Sequence, residues 1–290
     1  METKRRTVSV PSSLNTVMFK PEQRMKQPNR LPRRGYSLLE LLVVMSVVVL
    51  LTGLLLPTLA SVRDAANRVI SKSNQRNIGQ AISLFADSQK GDLPESAALR
   101  NAPLDLGELM RAWTPEQLEV FDPYRKHARW LSNGFDGLGH LYQYQFLQEP
   151  SVLYSPGHMG AHGWDEYEQN WSDLNQVMTM RVGNHDINPG RTIYTNYHYA
   201  GDKYWDPAVD PSQWRDRLFT DGYSSILLSD GMRRSSDLNF DGGINVLHMD
   251  LSVEWLEDWQ LGNILPPDGQ DTIGSGGQVI EALWDIFRPH

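Results

Sequence analysis

Cysteine is absent from this chain of 290 residues. Its absence excludes disulfides, thiolate metal sites and cysteine nucleophiles, whatever the redox compartment. The sequence also lacks a glycine-rich phosphate loop, and no serine, histidine and aspartate arrangement has the context of a nucleophile elbow. The sequence therefore reveals no arrangement of catalytic residues.

Basic residues are scarce beyond the N-terminal segment. The net charge is -8, but residues 1–35 carry +7 and the remainder carries -15. The basic residues of that segment are Lys4, Arg5, Arg6, Lys20, Arg24, Lys26, Arg30, Arg33 and Arg34. Because an acidic domain repels phosphate groups, we expect no nucleic-acid partner.

One long charge-free apolar run is present, from Leu41 to Val62. About 20 such residues, rising 1.5 Å each in a helix, cross a hydrocarbon core of roughly 30 Å. The basic residues before it predict a single pass through the inner membrane, with residues 1–35 in the cytoplasm and the acidic bulk outside, in the periplasm. A secretory signal peptide cut near Ala60 or a plain signal anchor is the competing interpretation.

Glu40 directly precedes this run and follows Leu38 and Leu39, so it lies within the start of the longer apolar segment. A charged side chain in hydrocarbon costs on the order of 2.5 to 3.5 kcal/mol, so we expect it to have a partner. Neither a signal peptide nor a plain anchor requires such a carboxylate.

Helical spacing continues past the apolar run, which predicts one helix from about Ser37 to Ser88, kinked at Pro57. Lys90 to Pro94 supplies the stop. The positions expected to share one face of its outer part are Val62, Ala66, Val69, Ile78, Ile82 and Phe85.

The rest of the chain predicts an antiparallel sheet with long loops, and thus an α+β fold in which the long helix packs on the sheet. Loop and short helix are expected from Pro94 to Arg129, with a helix start at Thr114. A linker at residues 274–277 precedes a short helix from about Gln278 to Phe287. The predicted strands are Leu141–Leu147, Val152–Tyr154, Thr192–Tyr199, Ser224–Leu228, Ile244–Met249 and Val253–Leu256.

The segment from Arg33 to Leu42 resembles the prepilin cleavage and methylation motif of type IV pilins and type II secretion pseudopilins. The resemblance implies a pilin-like fold, and a membrane peptidase that cuts between Gly35 and Tyr36 and methylates the new N-terminus. It also implies assembly roles for Glu40, which would offset the amine of a neighbouring subunit's Tyr36, and for Pro57.

This resemblance divides the chain into a cleaved cytoplasmic leader (1–35), a transmembrane and polymerisation helix (36–60), its amphipathic continuation (61–90) and a periplasmic or extracellular domain (91–290). Gly35 has no side chain, so extended backbone can enter a protease cleft there. A leader of 35 residues is long for the family, and a translation start at Met25 would give a more usual length.

Weaker similarity links three later stretches to large pilin-like families of planctomycete-type bacteria. They are the post-membrane helix (63–82), a sheet region (137–156) and a C-terminal hairpin (245–256). Leu251 stands where the family's hairpin turn has glycine.

Two metal sites are considered. Asp237, Asn239 and Asp241 have the spacing of a calcium loop, but His248 stands where the bidentate glutamate is expected. A polar turn that needs no ion is the alternative. His158 and His162 are four residues apart, yet the glycines around them predict a loop with solvated imidazoles rather than a zinc site. We expect that the protein requires no cofactor, and calcium is the only ion for which the sequence suggests a site.

These features favour a structural role rather than an enzyme: a pilin or pseudopilin subunit processed by prepilin peptidase and assembled with other such subunits into a cell-surface or periplasmic filament. The alternative is a membrane-anchored binding module that presents an aromatic-rich, calcium-bearing domain to a glycan or secreted cargo. An anchored hydrolase is the third interpretation, and no catalytic residues support it.

Overall fold

The computed structural model describes residues 35–99, 109–115, 119–122, 127–130, 134–158, 160, 162–180, 191–204, 215–220, 226–232, 238–240 and 242–257. The chain divides into two compact units, Met1–Gly53 and Leu54–His290. The predicted linker and the short helix near the C-terminus lie outside the described residues.

Helix α1 spans Leu38–Ser88, which confirms the long helix predicted from the sequence. It continues without a break through Pro57, and the kink there stays a prediction. At its C-terminus the Gly91 amide donates to the carbonyl of Ala86 at 2.7 Å. Lys90 takes the left-handed conformation that this type of helix end requires, with φ 63°.

The predicted single apolar face of the outer part of α1 is wrong. Val62 and Val69 are 64% and 66% exposed, whereas Ile78 and Ile82 are fully buried. Sixteen residues separate Val62 from Ile78, and at about 100° per residue they point to nearly opposite sides of the helix. The outer half of α1 therefore carries two apolar faces, one in the core and one exposed.

The main sheet has four antiparallel strands in the order β10-β9-β8-β5. They span Tyr197–Tyr199 (β5), Ile226–Asp230 (β8), Gly243–His248 (β9) and Val253–Glu257 (β10). These strands confirm the predicted strands Ser224–Leu228, Ile244–Met249 and Val253–Leu256. The single strand predicted for Thr192–Tyr199 is instead two short strands, Ile193–Tyr194 and Tyr197–Tyr199, in different sheets. Leu251, in the β9–β10 turn, has φ 66°, a left-handed conformation that favours glycine.

Three further strand pairs are antiparallel, and β1 pairs with β4, β2 with β3 and β6 with β7. Their strands span Arg111–Trp113 (β1), Glu119–Asp122 (β2), His127–Trp130 (β3), Ile193–Tyr194 (β4), Lys203–Tyr204 (β6) and Arg215–Asp216 (β7). The helix start predicted at Thr114 is wrong, because residues 119–122 are extended and paired with β3.

Two predicted strands are helical instead. Residues 141–143 belong to α2 (Gly139–Gln143), and residues 150–153 form a short 3-10 helix that begins at Pro150. A Cβ at Gly139 would lie 1.8 Å from the carbonyl oxygen of Ala112. Only glycine therefore allows α2 to approach β1 this closely. Tertiary packing, rather than the local apolar alternation, decides this segment.

Helix α3, Trp164–Met180, was not predicted. It buries Tyr167, Trp171 and Leu174, which recur at helical spacing. Asp165 and Glu166 occupy its first turn, where negative charge suits the helix dipole.

The core lies between α1 and the four-stranded sheet. Ile78, Ile82 and Phe85 join one buried cluster with side chains of β5, β8 and β9. Gly79 permits the closest approach, since a Cβ there would lie 2.8 Å and 2.9 Å from methyl groups of Leu251 and Leu247. The predicted arrangement, a long helix packed on an antiparallel sheet, is confirmed.

Candidate functional site

The Gly35–Tyr36 peptide bond lies immediately before α1 in backbone with no regular secondary structure. Tyr36 is 92% exposed. Among the described residues, and apart from the chain neighbours of Gly35, no atom lies within 4 Å of the position that a Gly35 Cβ would take. The described residues therefore leave this bond exposed, as access by a protease requires.

Ser37 and Glu40 form a reciprocal capping box at the start of α1. The Ser37 amide donates to Glu40 Oε2 at 2.8 Å, and the Glu40 amide donates to Ser37 Oγ at 3.1 Å. Each side chain thus satisfies a backbone donor that the first turn of a helix leaves unpaired. The sequence predicted a partner for Glu40, and within the single chain one oxygen of its carboxylate bonds to the backbone of Ser37.

The capping box fixes where the helix begins, one residue after Ser37. Tyr36 consequently stays outside the helix, next to the bond that the motif marks for cleavage. The reason is local, because Ser and Glu three residues apart are a strong helix-start pair.

The membrane segment of α1 is apolar on all sides. Its most apolar 18-residue window has a mean hydropathy of 2.7 and no buried residue. Its hydroxyl groups donate to carbonyls three or four residues earlier, at 2.8 to 3.0 Å; they belong to Ser46, Thr52, Thr58 and Ser61. A helix that satisfies its polar side chains internally is compatible with hydrocarbon around it.

Pro57 lies within this segment. Proline has no amide proton, so the carbonyl of Gly53, four residues earlier, has no helical donor. Gly53 has open space beside it. The role of Pro57 in assembly stays a prediction.

A buried polar node, which the sequence did not reveal, ties α1 to the sheet. It consists of Asp230 and the four residues that donate to its carboxylate: Ser71, Gln75, Asn239 and Asn245. Oδ1 accepts three hydrogen bonds at 2.9 to 3.1 Å, and Oδ2 accepts two from Asn245 at 2.7 and 2.9 Å. Asp230 is completely buried.

Burial raises the pKa of Asp230, and the hydrogen bonds from Asn245, Asn239 and Ser71 oppose that rise. Five donors on one carboxylate leave no lone pair free for a cation, so the node is an internal connection rather than a metal site. The signal for it in the sequence is Asp230 at the end of a strand that begins with three apolar residues.

The middle residue of the predicted calcium loop belongs to this node. Asn239 is 1% exposed, and its amide nitrogen donates to Asp230 and to the carbonyl of Asn196. Its side-chain oxygen lies 3.0 Å from Nδ1 of His158. Asp237 and Asp241 lie outside the described residues, so calcium binding stays a prediction.

If calcium binds at Asp237, Asn239 and Asp241, chelation should lower the melting temperature of the protein, because a ligand that binds only the folded state stabilises it. Asp241→Ala should then melt at the same temperature with and without chelator. The measurement is thermal unfolding with calcium or EGTA. An equal melting temperature for the unsubstituted protein under both conditions would contradict calcium binding.

The two histidines of the predicted pair, His158 and His162, contact different residues. His158 contacts Asn239, whereas Nδ1 of His162 lies 2.7 Å from the Tyr167 hydroxyl and its ring stacks on Tyr167. Both residues are half-buried. The loop prediction holds for the described residues around them, but the expectation that they are solvated is wrong. Among the described residues, no group of three metal-binding side chains is found.

One comparison with known proteins finds a match. Residues 30–56 match a family model described as the prokaryotic N-terminal methylation motif. No curated protein and no solved structure matches the chain. The match covers the Gly35–Tyr36 bond, the capping box and most of the apolar run, so the chain carries a prepilin-type methylation motif. One helix among the described residues is long and apolar enough to cross a membrane. Together, the motif and this helix fit a membrane-anchored protein of the pilin or pseudopilin type.

Proposed function

We propose that this protein is a structural subunit, a pilin or pseudopilin, of a type IV pilus-like or type II secretion filament. The observation that carries the proposal is the exposed Gly35–Tyr36 bond directly before a capped apolar helix, within the segment that matches the methylation motif. The motif is typical of structural subunits rather than enzymes.

Processing comes first in this proposal. The basic leader holds residues 1–35 in the cytoplasm, and prepilin peptidase cuts after Gly35 at the membrane face. The cut leaves an amine on Tyr36, which the same enzyme methylates. The capping box supports this step, since it starts the helix beyond Tyr36 and leaves the Gly35–Tyr36 bond outside the helix.

Assembly follows from the apolar surface of α1. In the membrane this surface faces lipid, and in a filament it faces the same helix of neighbouring subunits. Val62 and Val69 continue the exposed apolar surface beyond the predicted transmembrane segment. Helix packing in a filament therefore has apolar side chains to bury outside the bilayer as well.

Mass spectrometry of the mature N-terminus tests the proposal. We expect the chain to begin at Tyr36 and to carry one methyl group on its α-amine. Gly35→Leu should leave the leader attached, because a large side chain obstructs entry into the cleft. Tyr36→Phe is the matched control. It keeps an aromatic residue after the cleaved bond, so cleavage should continue. An intact leader in the unsubstituted protein, or a cut near Ala60, would contradict the proposal.

A further inference from the structure

A row of three basic residues lies along α1 outside the membrane segment. Arg68, Lys72 and Arg76 follow one another at four-residue steps, so they lie on the same side of the helix. Arg76 is exposed and the other two are half-buried. Within the described residues, no acidic side chain forms an ion pair with any of them.

This basic row is unfavourable in the isolated chain. Like charges four residues apart repel each other across a helix surface. Arg68 has a partial compensation, because its guanidinium carbon lies 4.3 Å from the centre of the Trp255 ring. Among the described residues no such contact is found for Lys72 or Arg76, although the chain beyond residue 35 carries a charge of -15. An external acidic partner would remove the repulsion.

Anionic lipid is too far away to be that partner. The apolar run ends at Val62, and Arg76 follows 14 residues later, which is about 21 Å along a helix. Headgroups extend roughly 5 to 8 Å beyond the hydrocarbon, and the Debye length in physiological salt is about 8 Å. The far end of the row lies beyond both.

Helix α3 carries the complementary surface. It contains Asp165, Glu166, Glu168 and Asp173 and no lysine or arginine. Its buried side is aromatic and apolar, while Asp165 and Glu168 are exposed on the other side. Arg191 pairs with Glu166 at 3.0 Å, and within the described residues Asp165 and Glu168 have no ion pair. We call the exposed side, with Asp165 and Glu168, the acidic face.

We propose that the basic row of one subunit binds the acidic face of α3 on a second copy of this chain. The inference rests on the proposed filament role. Two different surfaces of the same chain meet in such a contact, so it repeats from copy to copy and builds an open helical polymer rather than a closed dimer. Opposite charges on the two surfaces also fix which neighbour each α3 can bind.

The absence of cysteine makes a direct test specific. Ser73→Cys lies beside the basic row and Ser172→Cys beside the acidic face, and both serines are exposed. The two single variants are produced together as full-length chains in the same cells and treated with a short bis-maleimide. We expect a covalent dimer at least about 10-fold more abundant than from Ser88→Cys with Ser172→Cys, because only neighbouring thiols reach a high effective concentration.

Charge reversal distinguishes an ionic contact between the two surfaces from mere closeness of the two thiols. Lys72→Glu with Arg76→Glu in the Ser73→Cys chain should abolish the dimer, and Asp165→Lys with Glu168→Lys in the Ser172→Cys chain should restore it. Filament content is measured in the same cells by sedimentation. Filaments without the cross-link would overturn this inference and leave the proposed function intact, whereas the absence of filaments would contradict both.

Lipid binding is the other outcome that would overturn the inference. In that case Lys72→Glu with Arg76→Glu would leave the cross-link unchanged and would weaken binding of the full chain to vesicles that contain phosphatidylglycerol. With the inferred pairing, vesicle binding should be the same for the reversed and unsubstituted chains.

Discussion

Asp230→Ala should destabilise the domain by at least about 3 kcal/mol, because it leaves several buried donors without an acceptor, each at a cost of about 1 to 3 kcal/mol. The donors come from three places: α1 supplies Ser71 and Gln75, strand β9 supplies Asn245, and Asn239 lies in the segment between β8 and β9. The substitution therefore loosens α1 from the sheet as well as weakening the strand.

Ser229→Ala is the matched control for Asp230→Ala. Ser229 is the preceding residue of β8 and is fully buried, and its hydroxyl has no hydrogen-bond partner among the described residues. Removing an unpaired buried hydroxyl should leave stability unchanged or raise it by up to about 1 kcal/mol. Urea unfolding of the full chain in detergent measures both changes. Equal stability of Asp230→Ala and the unsubstituted protein would show that the node contributes nothing.

The contribution of Asp230 to stability should also depend on pH. Burial raises its pKa above the ordinary value of 3.8, so the folded chain holds this proton more tightly than the unfolded chain does. The stability that comes from this proton is fully present below the unfolded pKa and is lost as pH rises through the raised pKa. Asp230→Asn should remove this component, and the difference in unfolding free energy between the two chains should change over that pH range.

The long helix and the C-terminal hairpin could be predicted because their signals are local. An apolar run, a stop at Lys90 to Pro94 and helical spacing define α1 almost to the residue. Alternating apolar residues around a short polar turn define β9 and β10. The capping box could also have been predicted, since Ser37 and Glu40 have its spacing, whereas the prepilin motif implies only an assembly role for Glu40.

The segments that could not be predicted depend on contacts distant in sequence. Residues 141–147 alternate like a strand, yet close packing of Gly139 on Ala112 favours a helix. The opposite orientation of Val69 and Ile78 follows from helix geometry and could have been calculated. The partners of Asp230 lie as far as 159 residues away in sequence, and no local pattern in a single sequence brings them together.

Glu40→Ala should abolish incorporation into filaments while leaving membrane insertion intact. In the proposed filament, Glu40 offsets the Tyr36 amine of a neighbour in a dry helix bundle, and removing one member of a buried ion pair lowers the association constant by at least about 100-fold. Insertion depends on the apolar run, which becomes more apolar. Immunoblots of sheared filaments and of membranes, from cells whose own copy is deleted, measure the two quantities.

The capping box adds a second role for Glu40, and two further variants separate the roles. Glu40→Gln keeps an acceptor for the Ser37 amide but has no charge, whereas Ser37→Ala keeps the charge and removes the hydroxyl that bonds to the Glu40 amide. If charge drives assembly, Glu40→Gln fails as completely as Glu40→Ala, and Ser37→Ala still assembles. If capping alone matters, Glu40→Gln assembles normally and Ser37→Ala fails. Normal assembly of Glu40→Ala itself would contradict the assembly role of Glu40. Absence of the unsubstituted protein from filaments would contradict the filament role and favour an anchored binding module.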